Sequence, residues 1–503
     1  MDEGLINGFK SDIVIRVGPG DTTRQGISNM GCRKKLIRGP SRRKILKYGL
    51  YCGLTAGLSP SLWLSGCERK RYKKRPDVLL ISVDTLRADH LSCYGYHRNT
   101  SPNIDRFADN ALLFENCLSH APITGSSCVS LLSGFLPHET TAFGNSPPPK
   151  KMKMLAEILK KQRYKTIAVV SNYVLRKGIG WEQGFKIYDD KMEDRELVRR
   201  NNPERIAERT TARAVELLKQ HHQEQLFMWI HYQDPHGPYA PPPSFAKMYQ
   251  DSEKEPVYLK MNTSSSGQGA IPRYQRLGEN RNFHYYVSQY DGEIRYMDEY
   301  LNRLFRALKE LGKYENSLII FTADHGEGMG EHDYYFAHGE NLYNNLIHVP
   351  LIIKYGAELT GRRTDIVQHI DIVPTILKIV GVETDLPFRG RDLRVKDTVN
   401  REIFAEMVSS TNKDESKSSI VLDDLKLIHT PLYNQYELFD LKTDRYEEHN
   451  LIDEPRYQKQ TEDLKVRLKR IGRENLLKLG KVNNRRKLTD EEKEKLKSLG
   501  YVQ

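Results

Sequence analysis

The chain has 503 residues, of which 78 are Lys or Arg and 66 are Asp or Glu, a formal net charge of +12. The basic excess lies wholly ahead of Asp77; from there on each sign is represented 61 times, so no basic face is left for nucleic acid, and that class of partner is excluded. The length and the 29% of charged residues suit a globular chain with a large core and more than one structural unit.

Residues 1–40 carry no readable signal; they form an N-terminal extension or a mis-assigned start, with Met30 as an alternative. "SRRKILK" (Ser41–Lys47) is a twin-arginine export motif, and the apolar run after it is too short and too interrupted by Gly and Pro to span a membrane. "LSGC" (Leu64–Cys67) resembles the lipobox of bacterial lipoproteins. Residues 41–67 are therefore expected to direct export and anchorage through a lipid on Cys67, at the periplasmic or cell surface, with 68–76 as a basic linker. Cys93, Cys117 and Cys128 remain beyond the anchor, an odd number that implies no disulfide framework.

"DVLLISVD" (Asp77–Asp84) is a continuous apolar run closed by an acid, the pattern of a strand buried on both faces of a parallel sheet. "TIAVVSN" (166–172), "LFMWIHY" (226–232), "SLIIFTADH" (317–325) and "VPLIIKY" (349–355) read the same way. Amphipathic helices alternate with them. One starts at a cap on Asn202-Pro203 and presents Ile206, Thr210, Ala214, Leu217 and Leu218; another presents Ile294, Met297, Leu301, Leu304, Leu308 and Leu311 and stops at Gly312. Residues 262–273 read as a surface loop.

Strand–helix alternation over some 300 residues implies an α/β fold with a mostly parallel central sheet flanked by helices, over residues 77–395. From about residue 396 to 503 the texture changes to a smaller C-terminal subdomain and a Lys/Glu-rich helical tail. Ligands of such sheets bind beyond the carboxyl ends of the strands. Attention therefore falls on Asp84, Asn172, His231 to His236, and Asp324 with His325.

Two acids and a histidine at strand ends are a donor set for a divalent metal, the carboxylates supplying charge and the imidazole a directional nitrogen. "HYQDPHGPYAPP" adds His236 between prolines, and "YFAHGENLYNN" adds His338 after an acidic Gly-rich loop. Imidazoles beside a metal can hold an anionic ester and protonate its leaving group.

Taken in order, "DVLLISVDTLRADHLSCYG", "TSPNIDRFADNALLFENC", "LLSGFLPHE", "LIIFTADHGEGMGEH", "HVPLIIKY" and "YELFDLKTDRYEEHNL" resemble successive segments of the sulfatase family, within the alkaline-phosphatase-like superfamily. The resemblance runs from about Asp77 to the C-terminus. It implies an alkaline phosphatase/sulfatase-like fold, hydrolysis of an anionic ester, and a metal at Asp84, Asp324 and His325.

The family's nucleophile signature is Cys-x-Pro-x-Arg followed by Leu-Thr-Gly, the Cys being converted to formylglycine. Anchored on "LLSG" (Leu131–Gly134), the three signature positions are Thr124, Ser126 and Cys128, so no formylglycine is expected. Thr124 becomes the expected nucleophile and fourth metal ligand, activated by the metal. Gly125 allows close approach of the backbone, and the helix after it offers its N-terminus to an anion.

The resemblance further places His236 and His338 on the ester's anionic oxygens and as acid toward the leaving group, with Asp234 as substrate contact, outer partner or ligand of a second metal. Thr85 stands where sulfatases have a second acid, which opens the site to Mn, Zn or Mg as well as Ca. A threonyl ester cannot collapse to an aldehyde, a tilt toward phosphate, phosphodiester or phosphonate hydrolysis or transfer. Sulfate ester hydrolysis in the ordinary sense and non-catalytic binding of an anionic glycan are the alternatives. The substrate, whether small molecule, glycan or lipid headgroup, is an anionic ester.

Overall fold

A computed structural model describes residues 75–195, 203–250, 254–357, 359–396, 401–408 and 416–475. The expected twin-arginine signal, the Cys67 lipobox, residues 1–40, almost all of the basic linker and the tail beyond Asn475 lie outside the described residues. Among those described, no helix is long and apolar enough to cross a membrane.

An eight-stranded sheet forms the core, built from β1 (Val78–Val83), β2 (Leu112–Leu118), β3 (Lys165–Val170), β4 (Ile187–Asp189), β5 (Leu226–Tyr232), β6 (Leu318–Ala323), β7 (His348–Lys354) and β8 (Gly361–Gln368). Its order is β8-β2-β7-β6-β1-β5-β3-β4. The five strands from β6 to β4 are mutually parallel. The apolar run at 349–355, expected as another parallel strand, becomes β7 and runs antiparallel to both neighbours. Burial on both faces, rather than strand direction, is what keeps such a run apolar. β2 and β8, which the sequence did not single out, complete this side of the sheet.

Helices cover both faces. Tyr232 of β5 shares a 2.8 Å hydroxyl–hydroxyl hydrogen bond with Thr211 of α4 (Ala207–Gln220), which packs with α5 (Phe283–Glu310) and, through it, α1 (Pro102–Ala108). On the other face Thr322 of β6 faces His369 at 3.3 Å; α2 (Thr124–Ser133), α3 (Leu155–Lys161) and α6 (Ile372–Ile379) pack together there.

α4 begins at Ala207 with Ile206 as its cap residue, four positions later than the Asn-Pro pair suggested. Pro203 and Glu204 instead pair antiparallel with Asp194 and Arg195, because extended geometry suits a proline as well as a helix start does. The apolar stripe is nevertheless the expected one: Thr210, Ala214, Leu217 and Leu218 are all buried. α5 ends as foreseen, with Gly312 left-handed at φ +65°. Residues 262–273 are more than a loop: Ala270–Ile271 pair with Lys260–Met261, and Ile271 is wholly buried.

A second sheet follows, antiparallel in the order β9 (Ile403–Met407), β10 (Lys417–Leu422), β11 (Leu425–Thr430), β12 (Gln435–Asp440). α7 (Gln458–Ile471) lays Leu464, Leu468 and Ile471 on Ile420, Leu427 and Leu438. This smaller unit is held to the large sheet by polar contacts as well: Glu406 accepts from the His138 backbone and faces its imidazole at 2.8 Å, and Arg389 bridges Glu139 and Glu474.

Candidate active site

β1 and β6 are parallel and in register, Val83 opposite Ala323. The next residue on each strand is an acid, so Asp84 and Asp324 stand side by side where the sheet ends. Both are wholly buried. Asp84 is oriented by the Asn172 amide, which donates to its Oδ2, while Asn172 Oδ1 accepts from the Val174 backbone at 2.7 Å. Asp324 Oδ1 accepts from the backbone amides of His325 at 2.7 Å and Thr85 at 3.3 Å. Thr85 is left-handed at φ +54°, a conformation β-branched residues rarely take; Tyr290 locks it by donating to its carbonyl at 2.7 Å.

Thr124 opens α2 and sets its Oγ1 3.3 Å from His325 Nε2. His325 Nδ1 donates to the Gly326 carbonyl at 2.9 Å, so Nε2 keeps its lone pair toward the site. That nitrogen lies 3.7 Å from Asp84 Oδ1 and 3.8 Å from Asp324 Oδ2. Burial pushes the His325 imidazole down to about 4, which keeps it neutral at physiological pH.

Ligand atoms of Asp84, Asp324 and His325 lie within 4.8 Å of one another, and Asp84 Oδ1 and Asp324 Oδ2 are buried without a hydrogen-bond partner. Burial and then the charge of Asp324 push the Asp84 carboxyl well above the usual carboxylate range. Two enclosed carboxylates beside a neutral imidazole form the environment a divalent cation satisfies. The donor set therefore fits the expected metal.

The Gly125 expectation is met by geometry: a Cβ there would lie 2.4 Å from Asn145 Cα and 2.6 Å from the Gly144 carbonyl oxygen. The same loop changes another expectation. Gly125 N–H donates to Asn145 Oδ1 at 2.9 Å and Ser126 N–H to the Gly144 carbonyl at 2.8 Å. These first-turn amides are thus committed to residues 144–145 rather than offered to an anion. Cys128 lies one turn below Thr124, wholly buried, its sulfur grouped with His231 and Asp324.

His338 and His236 join from two separate loops. The His338 ring is 4.6 Å from that of His325 and 5.2 Å from that of His236. His236 Nδ1 donates to the Gly237 carbonyl at 2.8 Å. His338 Nδ1 lies 3.1 Å from Glu327 Oε1, and Tyr239 donates to Glu327 Oε2 at 3.0 Å.

Asp234 is not in this cluster. Its carboxyl faces Glu293 in an adjoining cavity, for which His236 forms part of the wall.

Glu327 was missed in the sequence, where it is a single acid in a Gly-rich loop two residues after His325. His231, flagged only within a range, brings Nε2 to 3.5 Å from Asp324 Oδ2. Arg87 is also structural to the site: buried, it bridges Asp89 and Glu331 and donates to the Glu327 carbonyl at 3.2 Å, pinning the loop that carries Glu327.

Residues 76–382 match the family model described as Sulfatase, and residues 330–474 that described as N-sulphoglucosamine sulphohydrolase, C-terminal. An N-acetylglucosamine-6-O-sulfatase of Bacteroides thetaiotaomicron is 22% identical, over 80% of this chain and 88% of its own. Two solved structures share the fold. One, in complex with D-glucosamine-2-N,6-O-disulfate, aligns with a TM-score of 0.67 at 18% identity, covering 81% of this chain and 99% of the other. The phosphonate monoester hydrolase of Agrobacterium radiobacter aligns with a TM-score of 0.64 at 19% identity, covering 79% and 96%.

Proposed function

Because the chain belongs to the sulfatase family, whose members are hydrolases, we propose that it cleaves a phosphate, phosphonate or sulfate ester with Thr124 as nucleophile and a divalent metal at Asp84, Asp324 and His325. The observation that carries this reading is the approach of Thr124 Oγ1 to His325 Nε2, 3.3 Å, beside Asp84 Oδ1 and Asp324 Oδ2, two buried carboxylate oxygens that lack a hydrogen-bond partner. Bound there, Mn, Zn, Mg or Ca would lower the pKa of the threonine hydroxyl and offset negative charge on the ester.

The chain's own groups supply the rest. Thr124 Oγ1 attacks the central phosphorus or sulfur and is left esterified while the alcohol departs. His236 and His338 hold the non-bridging oxygens, and one of them hands a proton to the leaving oxygen. Glu327 holds the His338 ring so that Nε2 faces the ester. Water then releases the group from Thr124; an acceptor alcohol in its place makes the same chemistry a transfer. The phosphorus ester is favoured because a threonyl ester requires a true second displacement.

Export and lipid anchorage at Cys67 form part of the proposal, supported by the order and spacing of "SRRKILK" and "LSGC". The anchored enzyme would meet its ester at the outer face of a membrane.

The test uses the metal-loaded full chain against matched aryl phosphate, phosphodiester, phosphonate and sulfate esters, for wild type and Thr124→Ala. Thr124-dependent turnover of a phosphorus ester supports the reading. Turnover of the sulfate alone overturns the preference for phosphorus, and turnover that survives Thr124→Ala overturns the nucleophile.

A further inference from the structure

Beside His236 lies a second space, a partly open cavity of about 360 Å³. Its polar wall consists of Asp194, Glu204, Gln233, Asp234, His236 and Glu293, with no Lys or Arg among the described residues that line it. Ile206, Pro238, Ala240 and the Tyr296 ring supply an apolar remainder.

Gln233 and Asp234 are each 7% exposed, and Gln233 Oε1 and Asp234 Oδ2 are buried without a hydrogen-bond partner. Both atoms are acceptors, so the wall presents unmet demand for N–H or O–H donors. Asp194 is already paired, with Arg209 Nε at 2.8 Å. Glu293 Oε1 accepts from the Ala240 backbone at 2.8 Å, and its carboxyl hydrogen-bonds that of Asp234, with no cation beside the pair among the described lining residues. Burial first, and Asp234 next, push the Glu293 carboxyl up, and burial raises Asp234 to about 7.

A bare metal ion is the poorer occupant. Among the described residues, no third His, Cys, Asp or Glu joins Asp234 and Glu293 within the 4.8 Å mutual spacing that Asp84, Asp324 and His325 satisfy. The space is also large for an ion and partly apolar. An organic cation meets all three conditions: N–H donors for the orphan oxygens, positive charge for the acid pair, and carbon for the prolines and Tyr296.

We propose that the cavity walled by Gln233, Asp234 and Glu293 binds a primary ammonium group of the substrate, so that the ester cleaved at Thr124 is that of an amino alcohol or amino sugar. The inference rests on the ester-cleavage reading for the second half of that statement only. His236 joins the two spaces, lining the cavity on one side and contacting His338 on the other.

The test is calorimetric, on the metal-loaded full chain and its Glu293→Gln variant, which keeps the shape and the backbone acceptor but cannot ionise to face an ammonium group. The probes are 2-aminoethanol against ethylene glycol, glucosamine against glucose, and 2-aminoethyl phosphate against 2-hydroxyethyl phosphate. Each ammonium form should bind about tenfold or more tightly than its partner, and Glu293→Gln should abolish that difference while circular dichroism stays unchanged. The first two pairs distinguish a headgroup amine from an amino sugar.

Equal binding within both metal-independent pairs overturns the inference, as does a difference that survives Glu293→Gln. Displacement of the bound amine by Mn²⁺ in a variant with Asp84→Asn would also overturn it, by making the cavity a metal site. If the amines bind in a Glu293-dependent way but neither phosphate ester does, the cavity stands and the ester-cleavage reading falls.

Discussion

Thr124 Oγ1 lies 3.3 Å from His325 Nε2, although the two residues are 201 positions apart in the chain. One opens a helix and the other follows an interior strand at its carboxyl end. Their meeting is the centre of the proposed reaction and gives the first prediction. Thr124→Ala should reduce turnover by at least about 10³-fold with little change in substrate affinity, since only the bond-forming atom is lost. Thr124→Ser should retain measurable activity. Steady-state kinetics on both variants checks this.

Gly125 is the position least able to accept a side chain. Gly125→Ala would drive a methyl group against Asn145 Cα and the Gly144 carbonyl, both backbone. The 144–145 loop must move, and Thr124 moves with it. We expect loss of activity together with a destabilisation of about 2 kcal/mol or more, measured by urea unfolding of the variant.

Metal and pH act together through Asp84. Its folded-state pKa is raised by burial and by Asp324, so the metal-free fold binds more protons there than the unfolded chain. Stability from this group is therefore present at low pH and lost as pH rises through the raised value. A bound cation reverses the balance. Chelation should lower the melting temperature more at pH 7.5 than at pH 5, and a metal at a hundredfold excess over its Kd should restore about 2.7 kcal/mol. Scanning calorimetry at the two pH values decides it.

Glu327 fixes His338 through a 3.1 Å contact and is itself held by Tyr239. Glu327→Gln should reduce kcat by up to about 10²-fold, because the imidazole loses its orienting carboxyl while Thr124, the proposed nucleophile, stays in place. A substrate with a better leaving group should recover most of the loss. Equal losses on good and poor leaving groups would assign Glu327 to the fold instead.

The contact between the two sheets has its own pH signature. Burial opposes the charged form of His138, yet the Glu406 carboxylate outweighs it and raises the pKa. Stability from a raised histidine is fully present below the unfolded value of about 6.5 and disappears as pH rises through the folded one. Glu406→Gln should flatten that part of the stability profile, as read by urea unfolding between pH 6 and 9.

Much of this site is legible in the amino-acid sequence. Continuous apolar runs closed by Asp84 and by Asp324-His325 mark strand ends, because a strand buried on both faces must be apolar until it emerges. The residue types found there are recognisable as metal donors, and family resemblance points to Thr124, His236 and His338. Glu327 and Arg87 are not legible in this way. A single acid in a Gly-rich loop, or an arginine after a strand, has no period that distinguishes a buried role from a solvated one.

The features legible in the amino-acid sequence are local: which segments emerge from the core, which residues they bear, and where Gly125 must stay small. The tertiary structure alone decided the long-range choices. Strand register set Asp84 beside Asp324, and the antiparallel turn of β7 was invisible because burial, not direction, shapes its composition. Loop packing gave the α2 amides to Gly144 and Asn145, and sent Asp234 to Glu293 rather than to the metal donors. Such choices depend on partners tens to hundreds of residues away, and no local pattern carries that information.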